Sequence, residues 1–214
     1  PDAARHEFAL ADGFLKRATE LAPDSASAWG ASALLHFYFY VRSYDPVEKR
    51  LERARAEAEK ALRLDGRTFD ALLTLGMLRQ RAVEPQRAHQ LLEQARALEP
   101  RNPRVILALS GIIEEREERV KFLLRAAEES PRPAELLYYA SGQLLALRRV
   151  DESLAALERA IAAQPFWRAL LQRAYLEYQT TADPARVGPS LDRIPDLKRD
   201  EPRVAIMRWR MALV

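Results

Sequence analysis

Five amphipathic stretches of this chain end alike: "ELAP" at Pro23, "RLDG" at Gly66, "ALEP" at Pro100, "EESP" at Pro131 and "AAQP" at Pro165. Proline or glycine after a periodic apolar run marks the end of a helix, since proline has no amide hydrogen and drives the residue before it out of the helical region. The stops follow one another at 43, 34, 31 and 34 residues. A period near 34 residues is the length of one helical hairpin. The spacing predicts a helix over 4–22, hairpins over 25–65, 67–99, 102–130 and 133–164, and a helix over 166–181.

Composition agrees with helices. The 214 residues are 48% hydrophobic and 30% charged, and 7 Gly stand against 13 Pro, which leaves a core but few turn residues for sheets. Ala88 and Ala95 lie seven apart on one face and allow two helices to approach closely, with Leu75 and Leu92 filling the remaining space. One hairpin cannot bury both of its apolar faces, so each must lean on the next, and the expected result is an all-α, curved solenoid. After residue 181 the pattern decays. "DPARVGPSLDRIPDL" carries Gly188, Pro189 and Pro195 where a second hairpin helix belongs, so short, kinked pieces are expected over 183–200.

The best single repeat has Leu72, Leu75 and Gly76, then Ala88, Leu92, Ala95 and Pro100, with Arg79 at a position that a tyrosine would fill in the full pattern. Second-helix signatures recur as Ala11, Leu15, Ala18, Pro23 and as Ser153, Leu157, Ala160, Pro165, while Trp29 opens the first complete hairpin. These residues resemble the tetratricopeptide repeat, W-x2-L-G-x2-Y followed by A-x3-F and P. The resemblance covers nearly the whole chain and implies a right-handed α-solenoid of stacked helix-turn-helix hairpins. On this reading residues 1–214 form a single repeat domain of about five repeats. The domain is expected to be truncated at both ends and degenerate near 183–200. The chain is then a piece of a longer protein, and the closing "RVAIMRWRMALV" leaves Ile206, Trp209 and Met211 on a helix open to downstream sequence, a ligand or self-association.

Little in the sequence points to reaction chemistry. With no cysteine there are no disulfides, thiolates or cysteine-based metal sites. His6, His36 and His89 fall on separate helices without metal-ligand spacing, and no glycine-rich loop or G-x-S-x-G motif occurs, so neither enzyme activity, metal nor cofactor is expected. The carboxylates of "EEREER" (Glu114 to Arg119) read as a solvated face, and Asp151 and Glu152 as a helix start. Lys+Arg of 34 against Asp+Glu of 31 is a small, interspersed excess, and Arg116, Arg148, Arg149 and Arg173 are not interleaved with stacking aromatics, so no nucleic acid is expected. No apolar run reaches the roughly 18 residues of a membrane span.

What remains is surface shape. The resemblance places Leu34, Phe37, Tyr40, Leu73, Met77, Leu107, Gly111, Tyr138, Gly142, Gln172 and Leu176 on the first-helix faces, which line a concave groove. Gly111 and Gly142 recur at one repeat position, where a missing side chain would admit a ligand backbone. The implied function is a non-catalytic scaffold that holds a peptide, a partner protein or another domain of its own chain. Leu, Met and Tyr stand where a carboxylate clamp needs Lys and Asn, so an apolar or helical ligand is expected. Two other settings fit the resemblance: the regulatory arm of a bacterial signalling enzyme or transcription regulator, and a scaffold for envelope or secretion assembly. The cytoplasm is the expected compartment, with the periplasm as the alternative. The first full repeat is nine residues longer than 34, so both of its helices should overrun their neighbours by about a turn. There Phe37 and Tyr40 are expected to face the groove, and Tyr38 and Phe39 to pack on the long second helix and on the helix of residues 4–22.

Overall fold

The computed structural model describes residues 2–181, 183–195 and 202–212, with side chains for 6–181, 183, 185–195 and 202–209. Among the described residues there are twelve helices and no strand. They are α1 (Asp2–Leu21), α2 (Ala26–Val41), α3 (Glu48–Leu64), α4 (Phe69–Arg81), α5 (Pro85–Leu98), α6 (Pro103–Ser110), α7 (Arg116–Glu129), α8 (Ala134–Ala146), α9 (Val150–Ala163), α10 (Trp167–Thr181), α11 (Pro184–Asp192) and α12 (Pro202–Ala212). None is long and apolar enough to cross a membrane. The chain divides into two compact units, 1–112 and 113–214.

The helix stops act as the spacing predicts. Helices α1, α3, α5, α7 and α9 each end two residues before Pro23, Gly66, Pro100, Pro131 and Pro165. The residues just ahead of three of these prolines leave the helical region, with ψ of 76° at Glu99, 134° at Ser130 and 110° at Gln164. Proline's ring crowds the preceding residue and forces this turn-out. Asn102 then caps α6 through the Arg104 amide at 2.9 Å, and Pro85 and Pro103 open α5 and α6, where a missing amide costs nothing.

The turns within hairpins work differently. Ser43, Val83 and Arg148 all take positive φ, at 57°, 60° and 63°. In each turn the next amide reaches back past the helix end: Tyr44 to the Phe39 carbonyl, Glu84 to Arg79 and Arg149 to Leu144, at 3.1, 3.0 and 3.0 Å. Glycine usually fills such left-handed positions, so these three turns carry no glycine signal.

In the first unit α2 pairs with α3 and α4 with α5, while α1 packs on α2, α4 on both α2 and α3, and α6 on α4 and α5. Small residues set the spacing. Ala54, Ala58 and Ala61 of α3 and Ala33 of α2 are fully buried in one cluster with Phe37, Leu75 and Leu78. At Gly76 an added Cβ would lie 2.7 Å from Leu92 Cγ, and Ala88 and Ala95 are completely buried. The first full hairpin is long as expected, 16 and 17 residues for α2 and α3 against 13 and 14 for α4 and α5.

In the second unit α8 packs on α7 and α9, α10 on α9 and α11, and α12 on α11. One core joins Leu157 and Ile161 of α9, Leu170 and Leu176 of α10, Val187 and Leu191 of α11, and Val204 and Met207 of α12. Gly188 and Pro189 do not break α11, a single nine-residue helix that includes Pro189; residues 196–200 of the expected irregular stretch lie outside the described ones. Pro189 is the sixth of its nine residues, so the helix forgoes one bond, the one its amide would give to the Ala185 carbonyl.

Two variants test this account. Ala88→Trp should cost about 3 kcal/mol or unfold its hairpin, because neither α4 nor α5 can retreat from the other. Val83→Gly should stabilise by about 1 kcal/mol and raise Tm by a few degrees, since it relieves a left-handed β-branched residue that is 84% exposed and packs on little. Thermal melting followed by circular dichroism reads both.

Candidate functional site

The N-terminal half of α10, the first two turns of α12 and the second turn of α8 form an open groove of about 840 Å³ inside the second unit. Tyr138 and Tyr139 of α8, Trp167, Arg168, Leu171, Gln172 and Tyr175 of α10, and Pro202, Arg203, Ile206 and Met207 of α12 line it. On α10 the lining residues 168, 171 and 175 follow the helical repeat, so one face of that helix is given to the groove and the adjoining face to the core.

The floor is fixed and the rim is free. Tyr138 is held edge-on between Phe166 and Tyr139, with ring centroids at 5.3 and 5.5 Å. Burial raises its phenol above the ordinary value, while the positive charges of Arg168 and Arg203 act the other way, so the ring stays protonated and can donate a hydrogen bond. Gln172 donates to the Ser141 hydroxyl at 3.2 Å, and that hydroxyl donates to the Tyr138 carbonyl at 2.7 Å. Val204 and Met207 anchor α12 in the core, and Arg208 ties it to α11 through the Leu191 carbonyl at 2.7 Å. Tyr139, Tyr175 and Ile206 remain 41%, 40% and 52% exposed. Trp209, one turn beyond Ile206, is exposed too, while the Met211 side chain lies outside the described residues.

Of the residues assigned to a groove from sequence, Tyr138 and Gln172 line this one, and Gly142 of α8 is open, with nothing within 4 Å of an added Cβ. In the first unit Tyr40, Met77 and Leu107 are partly exposed, and Arg81 covers the Tyr40 ring at 5.0 Å. Five expectations are corrected. Leu34, Phe37, Leu73 and Leu176 are buried, at 5%, 5%, 0% and 1% exposure, and serve as core. A register error of one residue turns a side chain by about 100°, enough to carry it from the groove into the joint between hairpins. Gly111 is exposed, but the Gln80 side-chain amide, rather than a ligand backbone, occupies the place where its Cβ would be. Tyr139, Trp167, Arg168, Leu171, Tyr175, Arg203 and Ile206 were missed; the 168, 171, 175 spacing on α10 was the available signal.

The hairpin order, the stops and the small-residue contacts can be compared with solved structures. No protein-family model and no curated protein matches the sequence. TTC0263, a thermophilic TPR protein of Thermus thermophilus, superposes with a TM-score of 0.56 at 19% identity over 83% of this chain and 96% of that one. PilF of Pseudomonas aeruginosa gives 0.58 at 20% identity, over 78% and 75%. A chain of the APC/C hetero-tetramer Cut9–Hcn1 gives 0.66 at 16% identity, over 96% of this chain but only 40% of its own length. The chain has the tetratricopeptide-repeat fold. Likeness at these identities speaks for the fold alone.

The tetratricopeptide positions have visible work. Trp29 donates its indole N–H to the Pro23 carbonyl at 2.9 Å and lies under Lys60, whose Nζ is 3.5 Å from the ring centroid, so it ties the end of α1 to α3. Arg79, at the tyrosine position, instead pairs with Glu84 at 2.9 Å across the turn. Ser153, at an alanine position, donates to the Ser141 carbonyl at 2.9 Å.

The polar cluster at the long hairpin was not foreseen. His36, fully buried, accepts from Arg50 at Nδ1 over 2.8 Å, leaving Nε2 to carry the proton toward Asp12 at 3.5 Å and Glu57 at 3.7 Å. Arg50 also pairs with Asp45 at 2.7 Å and lies over Phe39, which packs on Phe8 of α1; Arg53 pairs with Glu57 at 2.7 Å. Phe39 thus packs on α1, as expected. Among the described residues no three His, Cys, Asp or Glu converge as a metal site requires. The cluster docks α1.

Burial lowers the His36 pKa most; Glu57 and Asp12 raise it, and Arg53 and Arg50 lower it. The native pKa lies below 6.5, so between the two values the unfolded chain binds more protons. Stability is therefore full above the unfolded pKa and declines as pH falls toward the native one. Wild-type Tm should drop between about pH 7.5 and 5.5, whereas His36→Asn, less stable throughout, should show a flatter profile over that window.

Proposed function

We propose that the protein is a non-catalytic interaction scaffold that binds a peptide or an extended segment of a partner protein in the groove between α8, α10 and α12. The observation that carries this reading is the solvent-open aromatic wall: Tyr139 and Tyr175, on neighbouring first helices, flank a groove of about 840 Å³ and are two-fifths exposed. Contiguous apolar surface of this kind is costly to leave in water and favours a ligand, and aromatic side chains supply much of the energy at such contacts. The action is binding, not catalysis. Among the described residues the groove's titratable groups are two arginines and three tyrosines, with no carboxylate or imidazole to serve as a base.

A random dodecapeptide display library, selected on the whole chain, tests the reading. Enriched peptides should bind Tyr139→Ala/Tyr175→Ala roughly tenfold or more weakly, while helicity and melting stay near wild type because both rings are peripheral to the core. Equal binding to the variant, or no enrichment on the wild type, would refute it.

A further inference from the structure

We infer that the groove is selective for acidic peptide segments, with Asp or Glu side chains meeting Arg168 and Arg203 and a neighbouring apolar side chain seated against Tyr139, Tyr175 and Ile206. The inference rests on the binding groove proposed above and adds the chemistry of its ligand.

Charge complementarity supplies the argument. Among the described residues the lining holds two guanidinium groups and no carboxylate. Elsewhere in the second unit the half-buried arginines are matched: Arg119 by the Ile113 carbonyl and Gln143, Arg149 by Glu117 and Glu152, Arg173 by Glu177, and Arg208 by the Leu191 carbonyl. Arg168 is equally half-buried, yet among the described residues its guanidinium has neither a hydrogen bond nor an ion pair, only the Trp167 ring at 5.3 Å. A guanidinium removed in part from water and left without an acceptor is unfavourable, and a ligand carboxylate would satisfy it in the bidentate geometry that arginine prefers.

Position adds to this. Arg168 and Arg203 are each the second residue of their helices, and neither α10 nor α12 has an acidic residue in its first turn. Cations are disfavoured beside the partial positive charge of a helix N-terminus, where an anion is welcome. Both arginines act electrostatically on Tyr138, so the two charges and that phenol share one region of the groove. Leu171, Ile206 and Met207 supply the aliphatic remainder. A nucleic acid strand needs a track of cations for successive phosphates, whereas two arginines beside aliphatic residues suit a carboxylate followed by an apolar side chain.

The test uses the peptides enriched on the whole chain, labelled and titrated by fluorescence anisotropy. They should carry Asp or Glu next to Phe, Trp, Leu or Ile, and amide replacement of those carboxylates should weaken binding roughly tenfold or more. Arg168→Gln/Arg203→Gln should weaken the acidic peptide to a similar degree, leave the amide version unchanged, and reduce the dependence on salt. Enrichment of neutral or basic peptides that still require Tyr139 and Tyr175 would overturn the charge selectivity and leave the groove standing. So would undiminished binding of acidic peptides to the arginine double variant, or displacement of the acidic peptide by a single-stranded oligonucleotide at lower concentration than by unlabelled peptide. Failure to enrich any peptide would remove both the groove and its selectivity.

Discussion

A residue followed by proline is sterically pressed away from helical geometry, and the hairpins of this protein are parsed by that constraint. At Glu99, Ser130 and Gln164 the backbone turns out of the helix just before the proline, and a new first helix starts two to three residues after it. The stop thus ends one hairpin and delivers the chain to the next. If the second helix ran on by a turn, the following first helix would begin about 5 Å too late to pack on its predecessor.

Close packing then depends on residues that have almost no side chain. Ala88, Ala95, Ala54 and Ala58 are wholly buried, and Gly76 leaves room that Leu92 fills, so helix axes are set by backbone thickness rather than by large side chains. Such contacts have little capacity to adapt. At the long hairpin the extra turn of α2 and α3 has no alanine seam to close it, and the space is taken by rings and charges: Phe39 on Phe8, and His36 among Arg50, Asp12 and Glu57. A buried imidazole in that network is favoured while neutral, which makes the docking of α1 dependent on pH.

The groove of the second unit follows from the same geometry. First helices α8, α10 and α12 give one face to the core through Leu137, Leu170, Leu176, Val204 and Met207, and the residues a third of a turn away become its walls. Because Arg168 and Arg203 stand in the first turns of α10 and α12, the electrostatics of the helix ends and of the two arginines add in sign at that end of the groove.

Several features were legible in the residues alone. The period, the five stops, the all-α class, the long first hairpin and the small-residue seams are local properties of spacing and of proline or alanine chemistry, and they survive without knowledge of the neighbours. The turns at Ser43, Val83 and Arg148 were not, since their left-handed residues are not glycine and the conformation is imposed by the helices on either side. Nor was the side of the helix on which Leu34, Phe37, Leu73 and Leu176 lie, because a rotation of one residue separates groove from core and only packing against adjacent hairpins sets it. Arg168 and Arg203 are 35 positions apart in the chain, on helices whose shared edge exists only once α11 has carried α12 back beside α10. Sequence determined where each helix stops, because that is decided within a few residues; tertiary structure decided which faces meet water, because that depends on contacts between helices distant in the chain.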